Sequence, residues 1–232
     1  MEYCLECRNL SKRFGAKTAL DGVNLSIAPG RVVGLLGPNG SGKTTLIKLV
    51  NGLLTPTAGE VTVCGLRPGK ESKALVSYLP DRPCLPEWMS AKQLMDYYAD
   101  FYEDFDRAKA ADMLARLGLS QELKVGQMSK GMKEKTQLIL VMSRKARLYL
   151  LDEPIGGVDP ATRDFILDTI IRNYSEDASV VISTHLISDV ENVLDDVIFL
   201  REGQVSLQAS VDDIREQYGK SVDALFREVF RC

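Results

Sequence analysis

Gly37-Pro-Asn-Gly-Ser-Gly-Lys43-Thr44 stands between the apolar run Val32-Val-Gly-Leu-Leu36 and a stretch of helical periodicity from Lys43 to about Asn51. Strand, glycine-rich loop and helix together are the setting in which G-x-x-x-x-G-K-[ST] cradles phosphate. Glycines let successive backbone N–H groups turn toward phosphate oxygens, and the helix start adds the positive end of its dipole. Lys43 is expected to reach the β and γ phosphates, and the Thr44 hydroxyl to ligate Mg2+. Asn39, Gly40, Ser41, Gly42, Lys43, Thr44 and Thr45 are the expected nucleotide-binding residues, against the plainer reading of a glycine-rich turn before a helix.

Farther along, Leu148-Tyr-Leu-Leu-Asp152-Glu153 is a second short apolar strand, ending in two carboxylates. Strand ends in sheets of this type face the ligand crevice. Adjacent strand residues point to opposite sides, so the two acids take different roles. Asp152 suits the outer shell of Mg2+, and Glu153 suits a water attacking the γ-phosphate, as its orienting group or base. A solvated acidic turn is the plainer alternative.

Around these motifs the periodicity predicts strands over 3–10, 23–28, Gly59–Gly65 and Ser179–Ser183, with a loop at Lys12–Lys17. Asp159-Pro160 opens a helix, with Asp as cap and Pro in the first turn. From Pro83 to about Lys145 apolar residues recur at helical spacing (Leu94, Tyr97, Tyr98, Phe101, Phe105, then Met113, Leu114 and Leu117 before Gly118). The expected fold class is α/β, a mixed and parallel sheet with helices. The expected division is a core of residues 1–82 and 146–210, a helical subdomain at 83–145 and a helical tail at 211–232.

Composition removes several functions. Lys and Arg number 29 against 32 Asp and Glu, a net charge of −3, which speaks against a general nucleic-acid coat. No uncharged apolar run approaches the ~18 residues of a membrane span, and Glu2 and Glu6 interrupt any leader-like run. A cytoplasmic chain is expected. A single histidine, His185, excludes a histidine-rich metal site. Five cysteines, an odd count, fit a reduced compartment. Cys4-x-x-Cys7 has redox or zinc spacing but no second pair, and reads as strand cysteines without chemistry. Lys130, Lys133, Lys135, Arg144 and Lys145, with Glu134 among them, read as a solvated helix face rather than a nucleic-acid patch.

Taken in order, Gly37–Thr45, Met128-Ser129-Lys-Gly131-Met, Leu150-Leu-Asp-Glu-Pro154, Gly157-Val-Asp159 and Ser183-Thr-His185 resemble the ATP-binding cassette (ABC) ATPases over nearly the whole chain. The resemblance implies a P-loop NTPase (RecA-like) core with an antiparallel β subdomain and an inserted helical subdomain. It implies MgATP hydrolysis by two subunits paired head to tail, homodimer or heterodimer, with two ATPs between them. By the same resemblance Phe14 stacks on adenine, with plain core as its alternative. Ser129 and Gly131 contact the γ-phosphate held by the other subunit, Asp159 links the two sites, and His185 contacts the γ-phosphate. Glu153, His185 and Lys43 are then the catalytic residues, and Thr44, Asp152 and Asp81 the metal residues.

Two departures from the family pattern stand out. The signature, usually Leu-Ser-Gly-Gly-Gln, is here Met128-Ser-Lys-Gly-Met132, and Asp81 stands where a Gln is usual. Aspartate is shorter and charged, and can hold Mg2+ through a water. Relatives of this kind serve transmembrane permeases from the cytosolic face of the cell membrane. Pro83–Tyr102, with Trp88, Met89, Tyr97 and Tyr98, is the candidate docking surface, subdomain core being the alternative. The signature and the Phe226-x-x-Val229-Phe230 ending look like exporter subunits of the drug and antibiotic type. A soluble ABC ATPase acting on nucleic acid or ribosomes is the alternative, and no nucleic-acid partner is expected.

Overall fold

The computed structural model describes residues 3–175 and 177–230, so Glu2 and Cys232 lie outside the described residues. Strands β1 (Leu5–Phe14), β2 (Lys17–Ile27) and β4 (Ala58–Val63) form an antiparallel sheet in the order β2-β1-β4. Strands β3 (Val32–Leu36), β5 (Val76–Leu79), β6 (Leu148–Asp152), β7 (Ser179–Thr184), β8 (Asp196–Arg201) and β9 (Gln204–Ser210) form the second sheet, ordered β5-β6-β7-β3-β8-β9. Its pairs are parallel except β8 with β9.

Strands β3, β6 and β7 are buried along their whole length, as a parallel sheet covered on both faces requires. Strand alternation divides their side chains between two cores. Leu148 and Leu150 of β6 face helix α1 (Lys43–Val50) and the antiparallel sheet. Tyr149 and Leu151 face the other core, built from helices α3 (Ala91–Phe101), α4 (Arg107–Arg116), α5 (Lys130–Met142) and α6 (Pro160–Asn173). A short α2 (Lys70–Leu75) leads into β5, α7 (Ile187–Val190) follows β7, and α8 (Val211–Tyr218) and α9 (Val222–Val229) pack at the end of the chain. Six helices begin on a Ser or Asp whose side chain accepts a backbone N–H of the first turn: Ser90, Asp106, Ser129, Asp159, Ser210 and Ser221.

Three differences from the sequence reading have physical causes. The loop expected at Lys12–Lys17 is a tight turn at Gly15-Ala16, because Arg13 pairs with Thr18 and Phe14 with Lys17 across the hairpin. The β8–β9 hairpin went unread. Arg201 pairs with Gln204, leaving Glu202 and Gly203 at φ 49° and 81°, the two positive angles of a type I′ turn.

Arg144 is not on a solvated face. It is buried, and its guanidinium bonds both carboxylate oxygens of Asp104 (2.9 and 3.1 Å) and the carbonyls of Ala74 and Val76. It also lies 3.8 Å from the centre of the Tyr102 ring. The buried Tyr149 hydroxyl donates to Arg144 O at 2.5 Å, and burial pushes that phenol up to about 12. Arg144 thus ties the inserted helices to the start of β5. Arg144→Leu orphans the buried Val76 carbonyl and leaves the Asp104 carboxylate without its cation, and is expected to destabilise the chain by about 3–5 kcal/mol, read from urea unfolding.

Candidate nucleotide site

Strand register decides which side chains meet. Leu36 at the end of β3 lies beside Thr184 at the end of β7, and Asp152 at the end of β6 lies beside Ser183. The neighbours β5, β6, β7 and β3 therefore deliver Asp81, Asp152 with Glu153, His185 and the glycine-rich loop to one edge of the sheet.

Within the loop, Gly42 sits at φ 112°, and a Cβ there would lie 2.7 Å from the Ala19 carbonyl, so only glycine fits. The unread hairpin supports the loop from behind, where Gly203 N donates to Ser41 O at 2.9 Å. Lys43 is buried. Its Nζ donates to Gly37 O at 2.8 Å and Pro38 O at 3.3 Å, and lies 3.3 Å from Glu153 Oε1.

One oxygen, Asp152 Oδ1, accepts the hydroxyls of Ser183 at 2.6 Å and Thr44 at 3.2 Å. Asp152 Oδ2 and Ser41 Oγ are buried without a partner. Burial pushes the Asp152 carboxyl above its ordinary range. The two hydroxyl bonds oppose that rise, and the charges of Asp81 and Glu153 add to it. A half-satisfied carboxylate beside a hydroxyl is an oxygen donor set suited to a hard cation, so Thr44 and Asp152 fit Mg2+.

Glu153 takes φ 49°, rare for a side-chain-bearing residue. Its N–H is shared by Ser183 O (3.0 Å) and Ser183 Oγ (3.1 Å), which holds the turn. Its Oε1 faces Lys43, and its Oε2 lies 3.0 Å from His185 Nδ1. Asp81 is exposed and shares a narrow crevice with Glu134, Gln137 and Glu153.

Among the described residues the remaining expected ones make no bond to this cluster. Phe14 is 47% exposed at the β1–β2 turn, so it is not core, and the Lys12 ammonium stands 5.1 Å from its ring centre. Ser129 caps α5 by accepting Met132 N at 3.3 Å, and a Cβ on Gly131 would meet nothing within 4 Å. Among the described residues no hydrogen bond or ion pair joins Ser129 or Gly131 to the cluster around Lys43. Asp159 caps α6, and its bonds from Thr162 hold its carboxyl below the usual range. Of the proposed docking surface, Met89 is buried while Trp88 and Tyr97 are exposed, joined by Phe101, whose ring centre is 4.6 Å from that of Tyr97. Ser183 is the residue the sequence reading underused. Its place at the end of an apolar strand, just before Thr184-His185, was its signal, and the register with Asp152 supplies its role.

The ABC transporter family model matches residues 20–156. The ABC transporter ATP-binding protein YtrB of Bacillus subtilis (strain 168) is 31% identical over 219 residues, 93% of this chain and 75% of that protein. The lantibiotic transport ATP-binding protein SrtF of Streptococcus pyogenes is 30% identical, covering 90% of this chain and 91% of its own. The daunorubicin resistance ATP-binding protein DrrA3 of Streptomyces coeruleorubidus is 30% identical over 94% of this chain and 72% of its own. A solved structure described as an ATP-binding subunit of an ABC transporter superposes with TM-score 0.87 at 29% identity, covering 98% of this chain and all of that one. Among the described residues no helix is long and apolar enough to cross a membrane.

Asp152→Asn removes the desolvated charge while its amide oxygen keeps both hydroxyl bonds. At neutral pH the nucleotide-free variant is expected to melt no lower than the parent, because a raised carboxyl pKa disfavours the folded ionised form. The extra melting temperature that Mg2+ adds in the presence of ADP is expected to vanish. Scanning fluorimetry reads both, and an undiminished Mg2+ increment would remove Asp152 from the metal site.

Proposed function

Because this chain belongs to the ABC transporter family as an ATP-binding protein, we propose that it hydrolyses MgATP at the Lys43–Asp152–Glu153–His185 cluster and couples the reaction to a transmembrane permease. One observation carries the reading: four adjacent parallel strands end together, and a lysine, two carboxylates, a histidine and a glycine loop share that edge.

The residues act in order. ATP phosphates take the loop N–H groups and draw Lys43 away from Glu153 Oε1. Glu153, freed of that cation, accepts a proton from the attacking water. Lys43 and His185 stabilise the charge gathering on the γ-phosphate oxygens. Thr44 and Asp152 would hold Mg2+, with Asp81 reaching it through water, and the ion supplies charge neutralisation across the phosphates. Phe14, exposed at the turn of the hairpin whose Ala19 lies against Gly42, offers adenine the ring face away from Lys12.

The proposal includes a head-to-tail dimer. Its support is that Ser129 and Gly131, exposed or half-exposed at the start of α5, make no bond to the phosphate loop among the described residues, which leaves them open to a γ-phosphate held by a second chain. Tyr97 and Phe101, exposed with their rings in contact, together with the exposed Trp88 and Leu53, are the apolar residues we assign to the permease. Relatives whose names speak of drug resistance support outward transport.

Glu153→Gln is expected to keep ATP, lose roughly 100-fold or more in turnover, and elute as a dimer with saturating MgATP. A variant that stays monomeric under those conditions argues against the two-chain site, and one that keeps full turnover removes Glu153 as the base.

A further inference from the structure

Strand pairing brings together two cysteines that the sequence keeps sixty residues apart. Leu5 of β1 pairs with Val63 of β4, and one step beyond that pair Cys64 N donates to Cys4 O at 2.9 Å. That bond sets the two residues side by side at the end of the β1–β4 pair, where both line one pocket. Cys64 is fixed in that place. It occupies the first position of a two-residue turn, at φ 48° with Gly65 at 78°, closed by Val63 N to Leu66 O (2.8 Å) and Leu66 N to Val63 O (2.9 Å).

Both cysteines line one surface pocket, with Tyr3, Pro29, Arg147 and Asp177 around them. Cys64 is half-buried and Cys4 is buried, its Sγ donating to Arg147 O at 3.4 Å. Cys7, the partner that Cys-x-x-Cys spacing suggests, is buried in the core opposite Val61 and is not among the residues lining this pocket.

We propose that Cys4 and Cys64 form a reversible dithiol site that reacts with the disulfides of small thiols, of which glutathione disulfide is the probe. The Cys64 thiolate attacks one sulfur of the small disulfide and expels one thiolate, leaving a mixed disulfide on Cys64. The Cys4 thiolate then attacks the Cys64 sulfur and expels the second. Two protein thiols are oxidised to one disulfide, the small disulfide is reduced to two thiols, and the two cysteine protons pass through solvent to the released thiolates. Cys64 acts first because it is accessible. Cys4 acts second because burial, with the neighbouring Cys64 thiol adding to it, holds its thiol up at about 11, where an unassisted attack is slow. An intramolecular attack on a sulfur held on the facing residue removes that disadvantage.

The site is far from the nucleotide cluster. Arg147 precedes β6, whose other end carries Asp152, and Ser179, whose N–H donates to Arg147 O, begins β7, whose other end carries Thr184. Oxidation is therefore expected to leave ADP affinity unchanged, within twofold, which also shows that the protein tested is folded.

The test is to treat the full chain with glutathione disulfide and read free thiols and peptide masses. The expected result is a linked peptide whose fragments place a bond between Cys4 and Cys64, whether or not the exposed Cys84 takes a glutathionyl group. Cys4→Ser should instead stop at one glutathionyl group on Cys64, and Cys64→Ser should leave Cys4 unmodified. Dithiothreitol should return every thiol. Oxidation confined to Cys84, a Cys4–Cys7 bond, or a folded chain that keeps both thiols free would each overturn the proposal.

Discussion

Asp152 Oδ1 accepts one hydroxyl from Thr44, at the start of α1, and another from Ser183, at the end of β7. Through that atom the helix after β3, the strand β6 and the strand β7 are joined where all three reach one edge of the sheet. The bond from Ser183 exists only because Asp152 and Ser183 are register partners, and a one-residue slip of either strand would put the two side chains on opposite faces. The remaining geometry follows from it. Ser183 also takes the Glu153 N–H, which holds Glu153 in its left-handed turn and aims its carboxylate at Lys43 and His185.

This arrangement sets two opposed demands on one small volume. Asp152 is buried with one oxygen unpartnered, a cost in the absence of a cation. Lys43 is buried but fully engaged, by two loop carbonyls and by Glu153. In the proposed reaction nucleotide and metal exchange these partners: the phosphates replace Glu153 at Lys43, and the metal satisfies Asp152. The carboxylate assigned as base is then occupied until a phosphate arrives, which ties the readiness of Glu153 to the presence of substrate.

Legibility in the sequence followed the range of the interaction. The loop Gly37–Thr44 and the run Leu148–Glu153 were readable because each encodes a strand and the turn that follows it within a few residues. Arg144 was misread because charge on a periodic segment usually means solvent, whereas here four partners from residues 74, 76 and 104 enclose it. The β8–β9 hairpin was missed although Glu202-Gly203 marks a type I′ turn, since the apolar run Val197–Leu200 was not read as a strand. Phe14 stood between core and ligand roles until its exposure at a hairpin end removed the first.

By itself the sequence determined the α/β class, the phosphate loop, the paired carboxylates and the order of motifs that marks the family, because those are local patterns of residue type and spacing. Tertiary structure alone decided which of these groups touch. Parallel register placed Ser183 on Asp152 and His185 on Glu153 across thirty-odd residues of chain. Antiparallel register set Cys4 against Cys64 rather than Cys7. Pairing between strands is fixed by the packing of whole faces, and no short stretch of chain contains that information.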